Sequence, residues 1–137
     1  MPNALQNIKF HKFLAPIDIT GATATDLEVD TLGWHYLAIH VLLGNVAADM
    51  TALTVNESDT AAQTGDVIVT FTAPTAAAGD GDMVACFIDL RKRKRYISIV
   101  ATGGAGATLI SIVGLLYRGD QVPDSVTERG LVEQFII

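Results

Sequence analysis

Apolar positions along this chain fall in short runs with a period of two, and no stretch holds a helical period. Ile8-Lys-Phe-His-Lys-Phe13 alternates apolar with polar and predicts a short strand or an extended arm that stops at Pro16. Residues 24–29 make a weaker strand with Leu27 and Val29 on one face. Asp30-Thr-Leu-Gly-Trp34 then reads as a turn, with Gly33 supplying backbone freedom. Residues 35–43 are almost continuously apolar, which predicts a central strand covered on both faces and broken at Gly44-Asn45. Residues 52–57 alternate, placing Leu53 and Val55 inward, and residues 67–72 are rich in β-formers. Pro74, Gly79 and Gly81 make 73–82 a loop. Residues 83–90, 96–100 and 108–117 are the later strands, and Gly103-Gly-Ala-Gly106 between the last two reads as a hairpin turn.

About seven to nine short strands at roughly ten-residue spacing are expected for an all-β antiparallel sandwich of jelly-roll type. Composition removes the main competitor. Half of the residues are hydrophobic but only 7% are aromatic, and the alanine-rich stretches that could form helices are interrupted by Thr, Gly and Val. The length of 137 residues suits one domain with a real core. Residues 1–16 and 120–137 are the candidates for extended arms.

The net charge of −6 argues against general binding to nucleic acid or to an anionic membrane. A single cysteine, Cys86, excludes an intrachain disulfide and fits synthesis in a cytoplasm. The first residues lack a basic region followed by an apolar run, so no signal peptide is expected. The longest apolar run, 109–117, is far short of a membrane helix.

No catalytic constellation is legible, and no enzyme or cofactor is expected. His11, His35 and His40 have no metalloprotease spacing, and His35 and His40 differ in strand parity; a zinc site would have to be assembled across strands. Cys86 sits among apolar neighbours that raise a thiol pKa. The glycines at 103, 104 and 106 lack the Lys-Ser/Thr of a phosphate loop. Asp80 and Asp82 flank Gly81 and offer too few ligands for calcium beyond a weak surface cation.

Two features remain. Arg91-Lys-Arg-Lys-Arg95 holds five of the nine basic residues, and its charges require that at least part of it be a turn or a strand end. It reads as a solvated edge that blocks aggregation, as a contact for acidic groups on a partner or a neighbouring copy, or, least well, as a nucleic-acid contact. Pairing with the chain's own carboxylates is a further option. The end Phe135-Ile-Ile137 is a poor free tail in water, and packs into a neighbouring subunit, caps its own core or forms a last edge strand within the monomer. Arg91, Lys92, Arg93, Lys94, Arg95, Phe135, Ile136 and Ile137 are therefore the candidate protein-interface residues.

The order of features resembles a group of small tailed-bacteriophage virion proteins, the capsid decoration or cement type. The resemblance is carried by Asp30-Thr-Leu-Gly-Trp34 leading into an apolar strand, Ala52-Leu-Thr-Val-Asn-Glu-Ser-Asp59, and Phe87-Ile-Asp-Leu-Arg-Lys-Arg-Lys-Arg-Tyr96. A Gly/Ala/Thr turn, a last apolar strand and a polar tail from Val122-Pro-Asp124 complete it. It implies a jelly-roll-like sandwich on the exterior of an icosahedral virion, with the major capsid protein as partner and a homo-oligomer as the working form, a trimer before a dimer. A carbohydrate- or receptor-binding module of a phage particle is the alternative.

Overall fold

The computed structural model describes residues 7–24, 27–61, 65–118 and 133–137. Its strands are β1 (Ile8–Asp18), β2 (Thr23–Ala24), β3 (Glu28–Asp30), β4 (Tyr36–Val46), β5 (Ala52–Ser58), β6 (Asp66–Thr70), β7 (Met83–Asp89), β8 (Tyr96–Thr102), β9 (Thr108–Tyr117) and β10 (Glu133–Ile136). Among the described residues one sheet has the order β1-β9-β4-β7-β10 and the other β2-β8-β5-β6, with β3 beside β2 on the same edge of β8. Every pairing is antiparallel except β10 on β7.

The pairing is that of one long hairpin rolled up. β1 pairs with β9, β2 and β3 together with β8, β4 with β7, and β5 with β6. Each strand of the first half thus meets its mirror in the second, which is the jelly roll expected from the spacing of strands and turns.

The core lies between the sheets and follows from strand alternation. Leu37, Ile39, Val41 and Leu43 of β4 face Leu53 and Val55 of β5 and Ile97, Ile99 and Ala101 of β8 in one buried cluster. β9 contributes Ile110, Ile112 and Leu116. At the fourth inward place of β9, Gly114 leaves room for the Phe13 ring: a Cβ there would stand 2.6 Å from Phe13 Cε2.

Three local expectations are revised. β1 runs through Pro16 to Asp18, because an edge strand tolerates a residue with no N–H and the pairing shifts register between Leu14 and Ile17. β4 runs through Gly44-Asn45 to Val46 by a similar shift after Leu43. The 103–106 stretch is not a hairpin turn: it carries the chain from β8 in one sheet to β9 in the other. Its small residues fit the crossing, since a Cβ on Gly103 would strike the Ile19 carbonyl and one on Gly104 the Asp49 carbonyl.

Candidate functional site

The two sheets differ on their outer faces. The sheet built on β8 and β5 turns out polar positions, where Thr23 and Thr102 share a hydroxyl hydrogen bond of 2.9 Å and Thr54 donates to Asn56 at 2.9 Å. The other sheet turns out apolar ones. Its register lines up Phe10 of β1, Leu115 of β9, Ala38 of β4 and Phe87 of β7 as one row across four strands. The next row runs Lys12, Val113, His40, Ala85, and the one on the other side Ile8, Tyr117, Tyr36, Asp89.

Ala38, Ala85 and Phe87 are buried there, with Met83, Leu115 and Tyr117 packed against them. On the same face Phe10 is 80% exposed, Leu109 44%, Leu42 41% and Val113 41%. Scattered exposed apolar side chains are ordinary, but a contiguous apolar face is a mark of an interaction surface. The near-continuous apolarity of β4, β7 and β9 was the signal for this face. It predicts burial on both sides, and β7 is buried on both faces, with Ala38 of β4 buried as well, whereas Leu42 of β4 and Leu109 and Val113 of β9 are exposed on the outer side.

The basic run sits at one end of the sandwich. Residues Leu90–Lys92 form a 3₁₀ turn whose N-cap is Asp89, and Arg93 to Arg95 lead into β8. Arg91 grips Asp89 (Nη2–Oδ2 2.7 Å, Nε–Oδ1 2.9 Å) and donates to the Tyr36 hydroxyl at 2.8 Å, its guanidinium lying over the Tyr36 ring. Arg93 stands 4.0 Å from Glu57. Lys94 holds Asp66 at 2.8 Å with Asp59 at 3.8 Å, and Arg95 holds Asp30 through two bonds.

Four of the five cations therefore pair with carboxylates that β3, β5, β6, β7 and the turn after β5 bring to this end. Lys92 is exposed and pairs with no described carboxylate. The hydrogen bond from Arg95 holds Asp30 down to about 2, and that from Arg91 does the same for Asp89. Lys94 lowers Asp66 in the same way and is itself raised by it.

The chain end forms β10 on the β7 edge. Phe135 sets its ring edge-on to Phe71 at 5.4 Å between centroids. Ile137 N–H donates to the Phe87 carbonyl at 3.0 Å, and its own carbonyl accepts from Asp89 N–H at 2.8 Å. Ile136 occupies the register position beside Phe87.

The residues weighed for chemistry are dispersed. His11 Nε2 lies 3.1 Å from the Glu28 carbonyl and its ring meets Phe13 edge-on, while His40 sits on the outer face beside Phe87. Burial lowers the His11 pKa. Cys86 is fully buried, and burial pushes its thiol up to about 12. Asp80 accepts the Val46 N–H at 2.6 Å, so it fastens its loop to β4. Among the described residues no three His, Cys, Asp or Glu side chains form a metal-binding group, and no helix is long and apolar enough to cross a membrane.

No protein-family model matches the sequence, and no curated protein matches it. The fold is similar to that of a chain from the disulfide-linked pili that form Bacillus endospore appendages. That chain is 14% identical, with 83% of this chain and 90% of that one covered, at a TM-score of 0.48. A chain from the structure of infectious bursal disease virus Gx strain is 13% identical, with 85% of this chain covered, at a TM-score of 0.48; the present chain spans 33% of its length.

Proposed function

We propose that this chain is a structural virion protein that stabilises an icosahedral bacteriophage capsid as a decoration, or cement, protein on its exterior. The observation that carries the reading is the set of apolar side chains exposed on the outer face of the β1-β9-β4-β7 sheet, Phe10, Leu42, Leu109 and Val113. A sandwich whose two outer faces differ in polarity is suited to lying on a larger protein surface, water on one side and a partner on the other. The resemblance of the sequence to phage decoration proteins supplies the identity of that partner, the major capsid protein. The working form in this reading is a symmetric homo-oligomer, a trimer in preference to a dimer.

The in-chain pairing of Arg91, Arg93, Lys94 and Arg95 supports a structural role for most of the basic run, leaving Lys92 as its one candidate for an intermolecular contact. A second reading, a carbohydrate- or receptor-binding module, draws on the stacked Tyr36–Tyr117 pair, 5.2 Å apart, beside Arg91. Aromatic planes with adjacent hydrogen-bond groups suit a sugar ring.

The test is co-sedimentation of the purified protein with capsids that lack it. Wild-type protein should pellet with the shells, Phe10→Asp should not, and Lys92→Glu should retain most of the binding. Failure of the wild type to pellet sinks the decoration reading, and glycan-array hits abolished by Tyr117→Ala would replace it with the second.

A further inference from the structure

The rolled hairpin is complete without β10. Every other described strand has its mirror partner in the roll, whereas β10 is added outside it, along the edge of β7, in a parallel pairing unlike the other described ones. What seats it belongs to its receiving edge: the backbone groups of Phe87 and Asp89, and the Phe71 ring against which Phe135 packs. None of these contacts depends on which copy of the chain delivers the strand.

The tether is long for a connection within one copy. β9 ends at Tyr117, level with Tyr36 and hence with Asp89, while β10 begins opposite Val84 at the other end of β7. The gap is three strand spacings across and five residues along, roughly 22 Å. The fourteen residues 119–132 can span ~46 Å when extended. The tether is about twice the length that the connection within one copy requires.

We propose that β10 is a donor strand exchanged between copies, residues 133–137 of one chain completing the β7 edge of the next. An extended segment added to a sheet edge takes its affinity from main-chain hydrogen bonds and its specificity from alternate side chains, here Phe135. Reciprocal exchange closes a dimer and cyclic exchange closes a ring, so the same contact builds either symmetric oligomer. The inference rests on β10 and its tether and not on the apolar outer face.

Cross-linking decides it. Gln134 and Ala85 are register partners, and adjacent strands lie within the span of a disulfide. The full chain carrying Gln134→Cys, Ala85→Cys and Cys86→Ala should give covalent dimers or larger species on a non-reducing gel, dispersed by reductant. Because Ala85 is fully buried, Phe135→Cys against the native Cys86, also register partners, provides a second pair with the same readout. Covalent oligomers from either pair support exchange. Cross-linked monomer alone, across a dilution series, overturns it. Neither measurement involves a capsid, so its failure leaves the decoration reading standing and is separable from it.

Discussion

Arg95 closes on Asp30 through two hydrogen bonds, Nε to Oδ1 at 2.9 Å and Nη2 to Oδ2 at 2.7 Å, and so ties the start of β8 to the end of β3. Thr31 strengthens the junction, its backbone and hydroxyl both donating to the Arg95 carbonyl. The pair depresses the Asp30 pKa from 3.8 to about 2. A depressed carboxylate contributes stability that is fully present above the unfolded value and is lost as pH falls through the folded one. Asp89, held by Arg91, behaves alike. Acid titration followed by circular dichroism should therefore show stability falling between about pH 4 and pH 2. Asp30→Asn should be slightly less stable at neutral pH and lose less than the wild type across that window. An identical acid profile for the two proteins would remove Asp30 from this account.

Gly114 and Phe13 share one space. Gly114→Ala places a methyl 2.6 Å from the Phe13 ring and 3.3 Å from Leu37. With Leu37 fully buried, nothing nearby gives way easily, and the cost should be about 1–3 kcal/mol. Urea midpoints measure it. Phe13→Leu combined with Gly114→Ala should be less destabilised than the sum of the two single variants, because the smaller side chain vacates the contested volume.

Cys86 is buried and its thiol is raised to about 12, so almost no thiolate exists at neutral pH. Native protein should resist a thiol-specific reagent such as DTNB, and denaturant should release one equivalent of reactive thiol per chain. Rapid labelling of the native protein would mean that the β7 region opens readily.

The outer apolar face should be decoupled from stability. Phe10 is 80% exposed, so Phe10→Asp should change the unfolding free energy by no more than about 0.5 kcal/mol. The same change should reduce binding of an apolar dye and weaken self-association or shell binding. A large loss of stability would make Phe10 part of the fold and not of a surface.

The sequence alone determined that this is a sandwich. Alternation in 52–57, with Leu53 and Val55 inward, and turn chemistry such as Gly33 at φ 83° are local properties that a strand or turn expresses wherever it is placed. The charge of Arg91–Arg95 likewise called for a turn or a strand end in at least part of the run, and a 3₁₀ turn covers its start. Pairing partners are not local. That Arg95 meets Asp30 across 65 positions and Lys94 meets Asp66 across 28 depends on the roll that brings β3, β5 and β6 to one end. The glycines of 103–106 look the same whether the chain turns back within a sheet or crosses to another; the sheet order settles it. Continuous apolarity in β4 names neither the side that becomes core nor the side that faces outward. Only packing against β5 and β8 assigns Leu37, Ile39 and Val41 to the interior. The same packing leaves Phe10, Leu42, Leu109 and Val113 on an open face, because alternation fixes two sides and tertiary contact decides what covers each.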